Sequence, residues 1–319
     1  MFKCKFANMI QMFLVQKINA GAVYLNSEYI LKEFDSFVAS QFPEKETITI
    51  EIFNAWLNSL KDNHNNTVNR KIPVIRQLSC FLSYFFPNTY QVPYDLKLPR
   101  IQYQPHLITK KELKAFFYSV DHYQPKCNPN VAIILKLIIP VFFRLLYACG
   151  LRSSEALFLR RGDVNLDTGK VTIRESKGHK LRIIFLHPEL LKLCQEYDIR
   201  MDNLCPAREP FFSNEKSSYF SRSSVDRWFH YCWDSLPESK DQKGAPFTPH
   251  SFRHNFALTV LNRWYREGLD LNIMLPYLAE FMGHTNLEAL NYYLHLSDDF
   301  STEIERVMQD SNEFILPEV

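Results

Sequence analysis

The chain has 319 residues, of which 46% are hydrophobic and 14% aromatic, enough for one large or two ordinary domains with a sizeable core. Its seven cysteines are odd in number and widely spaced, with no CxxC pair, which argues against a disulfide framework or a zinc knuckle and favours a reducing compartment. No internal repeat indicates a solenoid.

The formal net charge is only +2, but the charge is unevenly distributed along the chain. Residues 296–319 carry seven acidic side chains and one arginine, so the rest of the chain has a net charge of +8. A basic body favours phosphate binding, and the acidic segment either docks on a basic partner surface or is simply solvated.

Two apolar stretches require a test against membrane insertion. Residues 8–16 follow two lysines, as in a signal peptide, but polar side chains interrupt the run. Residues 131–151 have the length of a membrane span but contain Lys136, Pro140 and Arg144. Because charged groups at a bilayer centre cost roughly 2.5–3.5 kcal/mol each, a buried core helix is the better interpretation.

Apolar residues at helical spacing predict three helices in the N-terminal third, starting near residue 26 and spanning residues 48–60 and 67–86. The polar side of the third helix is either a phosphate-facing surface or an ordinary solvated face. Its members are Asn69, Arg70, Lys71 and Arg76.

Residues 87–106 contain four prolines and little periodicity, which predicts an interdomain linker. A further helix is predicted to start at Thr109. In residues 169–186, apolar residues alternate on both sides of the polar turn 176–180, which predicts a β-hairpin with Lys177 or Lys180 at its tip.

Arg152 lies where two predicted helices meet. Gly150 is suited to end the first helix, and Ser153 is predicted to cap the second, with Glu155 in its first turn. A single arginine at such a junction is more often structural than functional.

Thr248-Pro249 is a helix-start signature, and it places His250 and Arg253 on one face near a helix N-terminus, where phosphate groups bind readily. His250 and His254 are also four residues apart, as in zinc sites. A zinc hydrolase would need a glutamate directly after the first histidine, and Ser251 occupies that position, so a metal site is disfavoured.

A capping box at Thr285 and Glu288 predicts that a helix follows His284 directly. Tyr292 and Tyr293 lie about two turns along that helix. A tyrosine has a pKa of about 10 and is a poor nucleophile at neutral pH unless its surroundings help it.

In this order, the motifs resemble the tyrosine recombinase (phage integrase) family. The matching stretches are ACGLRSSEALFLRRGDV at 148–164, VTIRESKGHKLRIIFL at 171–186, TPHSFRHNFA at 248–257 and FMGHTNLEALNYYLH at 281–295. The family's catalytic pattern is present in full, as Arg152, Lys177, His250, Arg253, His284 and Tyr293.

The resemblance implies a role for each of these residues. Arg152 and Arg253 would clamp the scissile phosphate and offset its transition-state charge. His284 would donate a hydrogen bond to the same phosphate, and Glu155 matches a carboxylate that supports the site. Positive charge from lysine and arginine implies that no metal is needed, and the family uses no cofactor.

The remaining roles concern proton transfer and attack. Lys177, with Lys180 as the alternative, would protonate the 5′-hydroxyl leaving group, and His250 would assist proton transfer with the nucleophile. Tyr293 would attack phosphorus and form a 3′-phosphotyrosyl bond. Tyr293 is preferred to Tyr292 because it lies nine residues after His284 and has the family's histidine two residues later.

The resemblance implies a mainly α fold with a small β-hairpin, of the α+β class. A helical, SAM-like core-binding domain would occupy residues 1–100, and a catalytic domain residues 101–319, with an acidic tail at about 296–319. Together they would form a C-shaped clamp around DNA. Arg70, Lys71 and Arg222 are candidate contacts to the DNA backbone.

The implied partner is double-stranded DNA with inverted recombination sites, held by a homotetramer of two dimers in the cytoplasm, at the nucleoid and away from membranes. Accessory DNA-bending proteins are a further implied partner. The thirty residues between Arg253 and His284 exceed the length in compact members and resemble a branch found in transposons and other mobile elements. The alternatives are a type IB topoisomerase, a non-catalytic DNA-binding protein and a helical scaffold.

Overall fold

A computed structural model describes residues 2–21, 24–100, 106–174, 181–240 and 245–283. The chain divides into two compact units, Met1–Tyr103 and Gln104–Val319. Among the described residues, helices predominate and one antiparallel hairpin forms the sheet. The predicted mainly α fold with a small hairpin is therefore confirmed.

The described part of the N-terminal unit contains α1 (Ala7–Asn19), α2 (Leu25–Gln41), α3 (Ile50–Ser59) and α4 (Asn65–Ser83). The three helices predicted here are α2 to α4, and α2 and α4 begin slightly before their predicted starts. Their apolar stripes meet in one core, to which α4 contributes Ile72, Ile75 and Leu78 at helical spacing. Burial of each such side chain stabilises the unit by about 1.5–3 kcal/mol.

The helix α1 contains the apolar run that resembles a signal peptide. Its Ile10, Phe13 and Leu14 are buried in the same core as the other helices of this unit. The run therefore has a packing role within the folded unit.

Residues 87–100 pack along α4 rather than forming a free linker. Arg76 donates from Nε to Pro93 O at 2.9 Å, and Asn69 exchanges two hydrogen bonds with the backbone of Leu98, at 2.8 and 2.9 Å. Two of the four side chains on the polar side of this helix thus bind this segment of the chain itself.

The described part of the second unit contains α5 (Lys110–Asp121), α6 (Pro129–Cys149), α7 (Ser153–Leu157), β1 (Lys170–Ile173), β2 (Arg182–Phe185), α8 (Pro188–Leu204), α9 (Arg222–Trp233), α10 (Pro237–Lys240), α11 (Ser251–Arg266) and α12 (Leu271–Met282). A capping box between Thr109 and Glu112 starts α5, at the residue where the sequence predicts a helix.

The central helix of this unit is α6, which packs against α5, α8 and α11. By length and composition it is the one helix among the described residues that could span a bilayer. Its Phe142 and Phe143 are fully buried, and its Arg144 makes a bidentate ion pair with Asp121 at 2.8 Å. The prediction of a core helix is confirmed.

The hairpin pairs β1 with β2 in the register Ile173↔Arg182 to Lys170↔Phe185. In β1 the apolar residues face inward. In β2 the alternating set of Leu181, Ile183 and Phe185 is exposed, and Arg182 occupies the inner face instead. The strand was thus predicted correctly, but its inner face carries a charged residue.

Candidate active site

The junction between α6 and α7 positions Arg152. As predicted, α6 ends at Gly150, whose φ of 58° lies in the left-handed region. The residue that caps α7 is Arg152 itself, so the prediction that Ser153 caps this helix is wrong. The reason is that Glu155 supplies the cap: its Oε2 accepts a hydrogen bond from the backbone N–H of Arg152 at 2.9 Å.

The Glu155 carboxylate lies at the centre of the site and is 1% exposed. Oε1 accepts from Arg152 Nη1 at 2.6 Å, and the two oxygens accept a bidentate pair from Arg182 at 3.0 and 2.7 Å. Burial alone would raise the pKa of Glu155, but hydrogen bonds and charge from Arg182, and then from Arg152, outweigh it and lower the pKa. Two arginines therefore share one ionised carboxylate.

The sequence did not identify Arg182 as part of the site. It is 6% exposed, and its Nε donates to Phe281 O at 2.7 Å, in addition to its bonds with Glu155. A signal was present, because Arg182 lies on the same face of the strand as Ile184, opposite Ile183. A charged residue on an inward face requires a buried partner.

Arg253, on the first turn of α11, is the second arginine of the predicted phosphate clamp. It is 2% exposed and donates from Nη1 to Gly150 O at 2.7 Å and from Nη2 to Met282 O at 2.5 Å. Arg152 Nη1 reaches the same Met282 oxygen at 3.4 Å, and its Nη2 donates to Gly283 O at 2.8 Å. Two guanidinium groups from distant parts of the chain therefore meet at one oxygen atom.

The C-terminal end of α12 is the acceptor for all three arginines. A helix C-terminus carries a partial negative charge and unpaired carbonyl groups, so it suits cationic donors. Gly283 ends the helix with a φ of 64°, and a Cβ at this position would lie 2.8 Å from Arg182 Nη1. Both the backbone conformation and the close approach of Arg182 therefore require glycine here.

His250 lies directly before α11, at its N-cap position, with an exposed side chain. The helix begins at Ser251, just after the Thr248-Pro249 signature, and Ser251 N donates to Thr248 O to close the preceding turn. Protein atoms around the ring desolvate its charged form, and the positive charges of Arg253 and Arg152 disfavour it further, so the pKa of His250 is lowered to about 4. The ring is therefore neutral at neutral pH.

A surface cleft of about 320 Å³ joins several of these groups. Arg152 and His250 line it together with Arg222, the first residue of α9, and with Asp226. The Arg222 guanidinium lies 5.6 Å from the centre of the Phe158 ring, which orients it by a cation–π contact. Arg222 thus lies beside the predicted catalytic side chains.

The predicted contacts on α4 differ in accessibility. Arg70 is exposed, whereas the Lys71 ammonium is paired with both Glu33 oxygens at 2.5 and 2.8 Å, with its side chain 12% exposed. A DNA phosphate would have to compete with Glu33 for Lys71, so Arg70 is the stronger candidate of the two.

Several predicted site residues lie outside the described residues: Lys177 with its alternative Lys180, His284, and Tyr293 with its neighbour Tyr292. The described chain brings together Arg152, Glu155, His250 and Arg253. The last described residue is Gly283, directly before His284.

The His250 and His254 rings, the pair with the spacing of a zinc site, lie 4.6 Å apart. Within the described residues, no group of three or more histidine, cysteine or carboxylate side chains could hold a metal ion.

Comparison with known proteins agrees with the motif pattern. Residues 108–299, more than half of the chain, match the phage integrase family. An integrase/recombinase of Sinorhizobium fredii, y4rE, is 29% identical over 201 residues, and the match spans 61% of each chain. The tyrosine recombinase XerD of Rickettsia prowazekii is 26% identical over 305 residues, 91% of this chain and 92% of that protein.

The fold also has solved relatives. The Tn1549 transposon integrase in complex with transposon right end DNA superposes with a TM-score of 0.63 at 16% identity, over 94% of this chain and 99% of that one. This likeness extends over both units of the chain.

Proposed function

The chain belongs to the phage integrase family, and we propose that it cleaves and rejoins DNA with Arg152, Lys177, His250, Arg253, His284 and Tyr293 as its catalytic residues. It is a tyrosine-type site-specific recombinase, an enzyme class that works through a phosphotyrosine intermediate. A type IB topoisomerase is not favoured, since the relatives are recombinases and integrases.

The observation that carries this proposal is the meeting of Arg152 and Arg253 at Met282 O. Fixed guanidinium groups in a water-poor site stabilise the charge that develops on a phosphate in the transition state, and they do so without reorganising. With Glu155 and Arg182, the cluster holds three positive charges and one negative charge. Its net charge of +2 is equal and opposite to the charge of −2 on a phosphorane formed when a deprotonated tyrosine attacks a phosphodiester.

The proposed chemistry balances as follows. The Tyr293 oxygen forms a bond to phosphorus while the bond from phosphorus to the 5′-oxygen breaks. The tyrosine proton passes to His250, which is neutral at neutral pH because its pKa is lowered to about 4. Lys177 gives its proton to the departing 5′-oxygen, and His284 donates a hydrogen bond to a non-bridging phosphate oxygen. Rejoining is the reverse of these steps with a new 5′-hydroxyl.

The proposed DNA contacts outside the catalytic set are Arg222, beside the cleft, and Arg70 on α4, with Lys71 as a weaker candidate. We further propose two inverted sites held by four protomers, with the acidic tail at about 296–319 docking on a neighbouring protomer. Such an enzyme would work where chromosomal and mobile DNA is found, in the cytoplasm.

The test is covalent trapping on nicked duplexes, from which the cleaved strand diffuses away so that the protein–DNA bond persists. Because the recombination site is not given by the sequence, the first substrate is a pool of nicked duplexes with randomised arms. The fraction that stays bound in detergent is recovered, sequenced and resynthesised as a single substrate. We expect adducts with the wild-type chain and none with Tyr293→Phe.

The phosphate clamp is tested on that substrate with Arg152→Ala and Arg253→Lys. The second substitution keeps the charge but removes the fork geometry, so both should slow adduct formation by about 100-fold or more, the order of losing one oxyanion donor. Arg160→Ala is the matched control, because Arg160 is half-exposed and lies 3.8 Å from Glu209, outside this site. Wild-type adduct rates in both clamp variants would contradict the assignment.

A further inference from the structure

Arg182 forms a buried ion pair with a carboxylate, Glu155, that also binds a second arginine. It donates two hydrogen bonds to Glu155 and one to Phe281 O, and it is 6% exposed. Its partner Glu155 is at the same time bound to Arg152, one of the two arginines of the proposed phosphate clamp. The pair therefore acts directly on a proposed catalytic group.

We infer that Arg182 is a positioning residue for DNA cleavage: it neutralises Glu155, so that Glu155 orients Arg152 without cancelling the charge that Arg152 offers to the phosphate. This inference rests on the proposed function. Without Arg182, the buried carboxylate would lose one ion pair and keep the one with Arg152. Arg152 would then be drawn toward Glu155 and would offer the scissile phosphate less positive charge.

A second contact gives Arg182 a geometric role as well. Its Nε binds the carbonyl of Phe281, and its Nη1 lies where a Cβ on Gly283 would approach to 2.8 Å. Arg182 therefore joins β2 to the end of α12, directly before His284 in the chain. Lys177, outside the described residues, lies five residues before Arg182 in the sequence. The Arg182 side chain thus joins Glu155, which binds Arg152, to the end of α12.

The unit offers a matched example of a structural pair. Arg144 is 3% exposed and makes the same bidentate pair with Asp121, at 2.8 Å for both bonds. This pair joins α5 to α6, and neither of its members is a proposed catalytic residue. Arg144→Met therefore removes a similar buried pair, and it should lower thermal stability while leaving the cleavage rate of the folded protein unchanged.

The experiment measures adduct formation on the trapped substrate, duplex affinity and thermal melting for each variant. Arg182→Met should reduce the adduct rate of folded protein by about 100-fold, the order that a 1 Å misplacement costs, while duplex affinity changes by less than about threefold. Arg182→Lys keeps the charge and should lose less than about tenfold. These rates are compared with that of Arg144→Met.

Rescue distinguishes positioning from packing. Adding Glu155→Gln to Arg182→Met removes the uncompensated carboxylate, so the double variant should cleave faster than Arg182→Met alone. A substrate with a 5′-thiol leaving group should restore Lys177→Ala but not Arg182→Met, since the defect of the latter lies at the phosphate. A double variant no faster than the single one, or a thiol rescue of Arg182→Met, would overturn the inference.

The result with the wild-type chain distinguishes a failure of the proposed function from a failure of the role proposed for Arg182. If it forms no adduct with any member of the duplex pool, the proposed function fails. If it forms adducts and Arg182→Met forms them at the same rate per folded molecule, only the role of Arg182 fails. Should Arg182→Met not fold, Arg182→Lys and the double variant carry the same comparison.

Discussion

Replacing Gly283 with alanine would test the geometry of the site through a single methyl group. The residue has a φ of 64°, where a residue with a Cβ pays roughly 1–2 kcal/mol. The new Cβ would also lie 2.8 Å from Arg182 Nη1 and 3.2 Å from its Cζ. Because Arg182 is buried and held by three hydrogen bonds, it must break at least one of them to move.

The magnitude follows from these two contributions. A hydrogen bond to a charged group contributes about 1.5–3 kcal/mol, so Gly283→Ala should destabilise its unit by about 3 kcal/mol in total. Gly268 supplies the control, since its φ is 72° and a Cβ there would have no heavy atom within 4 Å. Gly268→Ala should therefore cost only the backbone contribution of about 1 kcal/mol, after the gain from a less flexible unfolded chain.

Calorimetry of the full chain measures this difference. At roughly 2–4 °C per kcal/mol for a unit of this size, Gly268→Ala should lower the melting temperature by about 3 °C and Gly283→Ala by about 9 °C. The adduct rate should fall by about tenfold or more in Gly283→Ala, because Arg182 and Arg152 move, and it should stay at the wild-type value in Gly268→Ala. Equal melting temperatures and equal adduct rates in the two variants would refute the reasoning.

Further predictions concern His250 in the site and two side chains of α4. In the free protein, the His250 ring should titrate with a midpoint near its lowered pKa of about 4, measured by NMR from the chemical shift of its C2–H proton. A midpoint near the ordinary value of about 6.5 would contradict the environment described. Because the unfolded chain takes up this proton first, His250 should reduce stability progressively as the pH falls from about 6.5 to about 4. Arg70→Ala should weaken duplex binding and reduce the slope of log affinity against log salt by about 1. Lys71→Ala should change that slope less, because Glu33 already binds the Lys71 ammonium. Equal slopes in the two variants would contradict this difference between Arg70 and Lys71. Arg76→Ala should speed proteolysis within residues 87–100, since it loses the bond to Pro93, and an unchanged cleavage rate would count against a docked segment.

The helices could be predicted because the signals that specify them are local. Apolar spacing located α4 to within two residues at its start, and the capping box of Thr109 and Glu112 begins α5. Caps that depend on a competing side chain were less predictable. Ser153 had the right chemistry for a cap, but the Glu155 carboxylate reaches back to the chain and makes Arg152 the capping residue.

The sequence singled out candidate side chains for the site but not the contacts between them. Order and spacing singled out Arg152 and Arg253, but no local pattern shows that both donate to Met282 O. Arg182 was missed because period-two alternation fits either face of a strand. The face is decided by partners 27 and 99 residues away along the chain, Glu155 and Phe281.

The segment 87–100 illustrates the same limit. Four prolines in residues 87–106 are typical of a linker, and composition alone does not show what such a segment contacts. Asn69 and Arg76 decide the outcome, because their side chains satisfy its backbone carbonyls. These two polar side chains of α4 therefore form hydrogen bonds within the unit itself.

The measurement that tests the central claim most directly is the identity of the residue joined to DNA. Wild-type protein is trapped on the selected nicked duplex, digested with nuclease and protease, and the nucleotide-bearing peptide is sequenced by mass spectrometry. We expect a 3′-phosphate on Tyr293, with trapping retained in Tyr292→Phe and lost in Tyr293→Phe. A nucleotide on Tyr292 or on any other residue would contradict it.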